Sequence, residues 1–468
     1  MRATKLVCTL GPASEAKVPE LVEAGMDVAR INCSHGTVES RDRMLRAVRD
    51  AAKAGGRTVG IMADLSGPKI RLGELEDGEA TLASGSRFVL RDAGNPGDAS
   101  GAPTNYAGLA QDLEPGDRVL LADGAAELRV REREGNDVVT EVVRGGPIRS
   151  RVGVNVPSER LRLPAITPKD EEDLAWALDA GVDMVAQSFV RRAVDIRALR
   201  SLCGDPRPLL VAKIETRGAV EDIDAILDGA DAVMVARGDL GVEMALEEIP
   251  VIQKRLVAAA NQVAKPVIIA TQMLESMTRA PRPTRAEVGD VAGAVFDAAD
   301  AILLSAETAI GTYVTESAAT AARILEVAET EGARFLPPAR ESAGVDLEEL
   351  PLARAAAVLA RRSRAAGVAC FTRTGLTARL ISAARPGVPI HAFSADPRAV
   401  GRMTLFHGVV SRPIDPPSDT DQLIDGMDTR LREAGAVEEE DVVIMVASSP
   451  AGRTHANLLK VHRVGREG

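Results

Sequence analysis

Lys213, Ile214 and Glu215 end an apolar run that begins at Leu209, and a second run, Ala232 to Ala236, leads into Arg237-Gly238-Asp239-Leu240-Gly241. Leu209 to Ile214 reads as a buried strand. Residues two apart on a strand share a face, so Lys213 and Glu215 point the same way at its C-terminal end. Two carboxylates at neighbouring strand ends, Glu215 and Asp239, can hold one hard divalent cation through oxygen ligands. A lysine beside such an ion suits an anionic substrate whose negative charge grows during reaction. A structural ion pair at a strand end explains Lys213 and Glu215 equally well, so the remaining residues must decide.

Other cationic and hydroxyl groups fall at similar places. The run from Val28 leads into Arg30, Asn32 and Ser34, which share one face, followed by His35 and Gly36. Another run ends at Asp64-Leu65, with Gly67, Pro68, Lys69 and Arg71 beyond it. Further runs end at Gln187-Ser188-Phe189 and at Thr271-Gln272. Arg30, Arg71 and Lys213 offer charge to phosphate oxygens. Gly238 and Asp239, read as a turn, offer backbone N–H groups to a carboxylate. Thr271 offers a hydroxyl to anchor substrate or relay a proton. No Ser-His-Asp or Cys-His arrangement is apparent. The set describes phosphoryl transfer involving a small, carboxylated, metal-bound substrate.

The elements that must position these groups alternate regularly. Apolar runs at Lys5–Leu10, Val28–Cys33, Thr58–Ala63, Met184–Phe189, Leu209–Ile214, Ala232–Ala236, Pro266–Ala270 and Ala301–Leu304 are separated by helical patterns such as Val18–Ala24, Arg41–Ala54 and Leu246–Ala264. Thr167-Pro168-Lys169-Asp170 and Thr284 with Glu287 are helix starts. This pattern predicts a (β/α)₈ barrel in residues 1–68 and 155–335, whose reactive side chains gather at the C-terminal strand ends. The interval 69–154 has a different texture. It is rich in glycine turns and in short alternating segments, Arg118–Leu121, Glu127–Arg133 and Asp137–Val143. It is expected to form a small inserted β domain, placed to act as a lid. After Leu336-Pro337-Pro338, residues 336–468 alternate again and predict a three-layer α/β domain.

Composition sets the outer limits. The 468 residues carry a formal net charge of −11, which argues against nucleic-acid and anionic-membrane partners, so any phosphate site is a local basic pocket. Cys8, Cys33, Cys203 and Cys370 are scattered without CxxC spacing, as expected in a reducing compartment. No run has transmembrane length, and Met1 to Pro12 is too short in apolar residues for a signal peptide. A cytoplasmic location is expected.

Along nearly its whole length the chain resembles the pyruvate kinases. The resemblance rests on KLVCTLGPAS (5–14), EAGMDVARINCSHG (23–36), Gly67–Arg71, Val211–Glu215, MVARGDLGVE (234–243) and the long, highly specific KPVIIATQMLESMTRAPRPTRAE (265–287). It implies that phosphoenolpyruvate gives its phosphoryl group to ADP, yielding pyruvate and ATP. By the same resemblance, Arg30 binds the phosphoryl group and Lys213 neutralises charge on it and on the enolate left behind. Glu215 and Asp239 ligate Mg2+ (or Mn2+), while Ser188, Gly238, Asp239 and Thr271 belong to the substrate site. Arg71 and His35 belong to the nucleotide site, and Arg151 stands where the family has a lid lysine for ATP. A homotetramer is implied as well.

Two departures carry weight. Most relatives bind a monovalent cation near the positions of Asn32, Ser34, Asp64 and Leu65, and they usually carry a glutamate where this chain has Lys69. Family members with lysine there tend to dispense with potassium, since a tethered ammonium can bring the positive charge that the free ion would bring. Potassium-independent catalysis is the expectation, against the alternative that Lys69 is a neutral surface change. In the C-terminal domain, Thr372-Arg373-Thr374-Gly375-Leu376-Thr377 resembles the family's effector loop, and hydroxyls with N–H groups at a helix start form a phosphate nest. An ordinary helix cap fits the same residues. The later loop, Ser448 to His455, is short and lacks tryptophan, which favours a sugar monophosphate or AMP over a sugar bisphosphate. Two further readings stay open: a magnesium-dependent aldolase or lyase, with a Schiff-base variant at Lys213, and a phosphosugar sensor on a dead scaffold.

Overall fold

A computed structural model describes residues 2–122, 124–157, 160–332, 335, 349–449 and 455–465. Strands β1 (Lys5–Leu10), β2 (Val28–Asn32) and β3 (Gly60–Leu65) open the chain. The inserted segment holds β4 (Glu79–Leu82), β5 (Arg87–Arg91), β6 (Gly101–Pro103), β7 (Arg118–Leu121), β8 (Ala126–Glu134), β9 (Asp137–Arg144), β10 (Gly146–Arg149) and β11 (Val154–Asn155). Then come β12 (Met184–Val190), β13 (Leu209–Ile214), β14 (Ala232–Ala236), β15 (Val267–Ala270) and β16 (Ala301–Leu304). The C-terminal domain contributes β17 (Gly367–Phe371), β18 (Ile390–Ser394), β19 (Val409–Pro413), β20 (Val442–Ala447) and β21 (Leu458–Arg463).

The first three strands and β12–β16 pair in parallel and close a barrel in the order β1-β16-β15-β14-β13-β12-β3-β2. Period two divides each strand between two cores. Leu6, Ile31, Ala63, Leu210 and Val235 face the surrounding helices. Val7, Val28, Met62, Met184, Leu209, Val211, Met234 and Leu303 fill the interior. That interior is continuous with the apolar core of the C-terminal domain, so the barrel's foot is closed by packing rather than by solvent. Gly60 shows how close the contact is: a Cβ there would lie 2.2 Å from Thr404 Oγ1 of the C-terminal domain.

Local chemistry explains most element ends. Thr37 caps the helix Val38–Ala54 through a reciprocal pair with Ser40, so this helix starts earlier than Arg41. Leu246 to Ala264 divides into a short turn, Leu246–Glu248, and the helix Ile249–Gln262, because Pro250 suits only a first helical turn. Thr167 and Asp170 form a capping box, and Asp170 Oδ1 also accepts the Gly67 N–H at 3.0 Å. One carboxylate thus ties the outgoing end of the lid to its return.

The lid is built on a six-stranded sheet, β11-β7-β8-β9-β5-β6, and the pair β10-β4. Its short strands β4, β5, β6, β10 and β11 escape a reading by alternation, because glycine, proline and half-exposed positions blur it. β11 pairs with β7, and Val156, Leu161 and Leu163 pack on the lid core, so the lid's packing continues past residue 154. The C-terminal sheet runs β19-β18-β17-β20-β21, parallel except for the last pairing. Leu336-Pro337-Pro338 lie outside the described residues, as do residues 450–454 of the loop between Ser448 and His455. Among the described residues no helix is long and apolar enough to cross a membrane.

Candidate active site

Each inward row of the barrel changes character at its C-terminal end. Val7 is followed two residues on by Thr9, Val28 by Arg30, Met62 by Asp64, Ala186 by Ser188 and Val211 by Lys213. Below this level the interior is apolar; at it, cationic, acidic and hydroxyl groups meet over an apolar floor.

They form one connected network. Arg30 Nε lies 2.6 Å from Asp64 Oδ2, and its Nη1 donates to Thr9 Oγ1 at 2.8 Å. Lys213 Nζ donates to Ser188 Oγ at 2.6 Å and lies 2.8 Å from Glu215 Oε1 and 3.3 Å from Asp64 Oδ1. Glu215 Oε2 accepts the Phe189 N–H at 2.8 Å. That bond depends on a local irregularity: the β12–β13 register shifts between Gln187 and Val190, and Phe189 takes φ 53°. A non-glycine residue in that region costs on the order of 1 kcal/mol, so the aim of one N–H at Glu215 is held by the surrounding barrel.

Asp239 stands in the first turn of the helix Arg237–Glu243, where a plain turn was expected. The Gly238 N–H donates to Thr271 Oγ1 at 2.7 Å, and Thr271 Oγ1 donates to Ala270 O at 2.6 Å. Thr271 (φ 71°) and Gln272 (φ 56°) both have left-handed backbones, which turn the chain sharply at the top of β15. Arg30, Asn32, Ser34, Lys69, Ser188, Lys213, Glu215, Asp239 and Thr271 all line one small cavity of about 90 Å³. Asn32 Oδ1 accepts the Ser34 N–H at 3.0 Å. Leu65 packs outward among the barrel helices.

Charges set the protonation of the cluster. Burial alone would push Asp64 up, but Lys213 and Arg30 hold its carboxyl below the ordinary range. Burial alone would lower Lys213, but Asp64 and Glu215 reverse that and raise it. Burial and the nearby charge of Asp239 raise Glu215 despite Lys213. Glu215 and Asp239 line one cavity, and their mutual repulsion, only partly offset by Lys213 and Lys69, is what a divalent cation between them would relieve. Among the described residues no three His, Cys, Asp or Glu could enclose a metal. Two carboxylates fit an ion of the magnesium type, which keeps water or substrate oxygens in its remaining positions.

Lys69 Nζ is 3.9 Å from Asp239 Oδ1 and 5.9 Å from the Phe189 ring centroid, at the border of a second cavity of about 240 Å³. His35 and Arg71 line this neighbour. Burial, followed by the charges of Arg71, Lys69 and Arg30, lowers the His35 pKa, which keeps the ring neutral at pH 7. Arg71 Nη1 donates to the carbonyl of Arg151 at 3.1 Å, whereas the Arg151 side chain turns away and pairs with Glu74 at 2.6 Å on the lid surface. Arg151 lines neither cavity.

In the C-terminal loop, Thr372 Oγ1 accepts the Gly375 N–H at 3.0 Å and Thr374 Oγ1 accepts the Leu376 N–H at 3.4 Å. Thr377 is buried and donates to Glu349 at 3.2 Å. Arg373 and Thr374 are exposed. Two of the loop's own hydroxyls thus act as caps.

Thr9 and Asp170 were not singled out in the sequence, although Thr9 follows Val7 by the same period that marks Arg30. Asp170 was recognised only as a helix start; its bond to Gly67 spans 103 residues, and no local pattern announces it.

Comparison with known proteins completes the description. Residues 1–318 match the family "Pyruvate kinase, barrel domain", and residues 351–462 match "Pyruvate kinase, alpha/beta domain". The chain is 42% identical to the pyruvate kinase of Mycobacterium tuberculosis, covering 100% of this chain and 99% of that one. It is 40% identical to that of Corynebacterium glutamicum, covering 99% and 98%. A solved pyruvate kinase from Cryptosporidium parvum superposes with a TM-score of 0.90 at 33% identity, covering 99% of this chain and 96% of the other. Matches that run through barrel, lid and C-terminal domain alike leave one assignment: the chain belongs to the pyruvate kinase family of phosphotransferases.

Proposed function

We propose that this enzyme transfers the phosphoryl group of phosphoenolpyruvate to ADP at the polar rim of the barrel, with Arg30 and Lys213 as its cationic pair. The observation that carries the reading is the Asp64 carboxylate, shared by Arg30 and Lys213. It fixes two positive groups side by side above an apolar floor, where a transferring phosphoryl group would be met by both. Ser188 orients Lys213 through a 2.6 Å bond. Glu215 and Asp239 would hold Mg2+ or Mn2+, which when bound neutralises charge on phosphate and enolate oxygens. Thr271, already bonded to Gly238, would contact the substrate carboxylate and hold a proton near the enolate. His35 and Arg71 would receive the nucleotide phosphates. Arg151 reaches them only if it leaves Glu74, a movement that lid closure would supply while excluding water.

Potassium independence is part of this reading. Lys69 shares the cavity with Asn32, Ser34 and Asp239, which supports an ammonium substituting for a free monovalent ion. So is regulation: the Thr372–Thr377 loop is proposed to take the phosphate of a sugar monophosphate or AMP, and the assembly is proposed to be a homotetramer. Thr374→Glu would abolish the effector response while keeping the basal rate; an unchanged response would remove the loop from consideration.

The Schiff-base alternative is disfavoured by charge. A nucleophilic lysine needs a lowered pKa, and Asp64 with Glu215 raises that of Lys213. The deciding experiment is steady-state formation of pyruvate from phosphoenolpyruvate, with and without ADP, Mg2+ and potassium. Product that forms only with ADP and Mg2+ supports the reading, and borohydride trapping of Lys213 by pyruvate would overturn it.

A further inference from the structure

The Cys33 carbonyl, just past the end of β2, is gripped by two cations. Lys169 Nζ donates to it at 2.7 Å and Arg41 Nη2 at 2.8 Å. Both cations also meet one carboxylate. Arg41 Nη1 donates to Asp173 Oδ1 at 2.7 Å, and Lys169 pairs with Asp173 Oδ2 one helical turn along. Arg41 is buried, its guanidinium lies 5.5 Å from the ring centroid of Trp176, and Trp176 Nε1 donates to Asp42 at 2.9 Å. Asp173 offers one oxygen to each cation, so the ion pairing is complete without Cys33. Both lone pairs of a single backbone carbonyl are nevertheless met by charged donors, which hold more strongly than neutral ones.

The place of Cys33 in the chain gives this grip a purpose. Arg30 and Asn32 lie on β2 and are held by its pairing with β3. The Cys33 N–H still donates to Asp64 O at 2.9 Å, but Ser34 and His35 then leave the barrel wall before Thr37 caps the next helix. The N–H groups of Ser34 and His35 reach back only to Asn32, inside the same turn. The Cys33 carbonyl is where the neighbouring helices take hold of this turn, and His35 lines the cavity of about 240 Å³ proposed to receive the nucleotide phosphates. The facing wall hangs from the same place. Asp170, next to Lys169, accepts the Gly67 N–H, and Lys69 and Arg71 shortly beyond Gly67 line the same cavity. The first turn of the helix Pro168–Asp179 therefore anchors both peptides from which the cavity's polar groups extend.

We infer that Lys169 and Arg41 are positioning residues for the nucleotide: by clamping the Cys33 carbonyl they hold His35 toward the phosphates of ADP. The inference deepens the nucleotide reading above and rests on it. Arg30 and Lys213 are held by the strand ladder and by Asp64, not by this clamp. Loss of the clamp is therefore felt by ADP and not by phosphoenolpyruvate.

Steady-state kinetics and isothermal titration of the full chain test the clamp. Lys169 is half-exposed, so Lys169→Met removes one donor from a surface position. KM for ADP should rise about fivefold or more, the scale of one charge-assisted hydrogen bond, with kcat and KM for phosphoenolpyruvate changed by less than about twofold. Titration of ADP with Mg2+, phosphoenolpyruvate omitted, should show the same weakening without turnover. Lys169→Arg keeps a charged donor and should restore most of the affinity. Arg41→Lys cannot span both Asp173 and Cys33, and gives the same reading if Lys169→Met does not fold. An unchanged KM for ADP in a folded variant, or equal weakening of both substrates, overturns the inference. A wild type that binds no ADP ends the nucleotide reading and the clamp with it, whereas equal ADP binding by the wild type and Lys169→Met ends the clamp alone.

Discussion

Lys213 Nζ stands 2.8 Å from Glu215 Oε1, and both side chains arise from the end of one strand with a single residue between them. The pair is buried, and both residues line the cavity shared with Asp239. Asp64 and Glu215 raise the pKa of the lysine against the effect of burial, which favours its charged form.

Lys213→Met should therefore reduce kcat by on the order of a thousandfold while changing KM for phosphoenolpyruvate far less, because the charge matters most in the transition state. Steady-state kinetics check this. Parallel losses in kcat and in substrate affinity would assign Lys213 to ground-state binding instead.

Glu215→Gln should weaken Mn2+ binding by about tenfold or more, since one of the two carboxylates proposed to hold the ion becomes neutral. Electron paramagnetic resonance of free and bound Mn2+ reads this directly, without turnover. Asp239→Ala should weaken both metal and substrate binding, because the proposed reading gives one carboxylate to both.

Exchange of potassium for tetramethylammonium should leave wild-type activity intact. Lys69→Glu should make activity depend on potassium, since it replaces a tethered ammonium by an acid. A wild-type enzyme that fails in tetramethylammonium would refute the role given to Lys69.

Thermal unfolding should depend on pH through two opposed groups. Asp64 is held below its ordinary value, so its contribution is present above pH 3.8 and is lost as pH falls through the lower folded value. Asp183 behaves oppositely: burial against the C-terminal domain pushes its carboxyl up to about 6. The folded protein then holds that proton more tightly than the unfolded chain, and stability declines as pH rises from about 4 to about 6. Asp183→Asn, which can still accept the Ile61 N–H, should raise Tm at pH 7 and leave it nearly unchanged at pH 4.

The amino-acid sequence alone determined much of the barrel and the rim. Strands Lys5–Leu10, Leu209–Ile214, Ala232–Ala236 and Ala301–Leu304 were legible to the residue, because each is an apolar run bounded by helix or turn signals. Period two then placed Arg30 and Lys213 on the inward face, as it would have placed Thr9. What only the tertiary structure decided are the relations between strands. The sharing of Asp64 by Arg30 and Lys213, the aim of the Phe189 N–H at Glu215, and the separation of Arg151 from the cavity lined by His35 and Arg71 all join residues distant in the chain. Local periodicity fixes which face a side chain takes, but the closure of the barrel and the seating of the C-terminal domain fix its neighbours. Those neighbours set the charge each group carries.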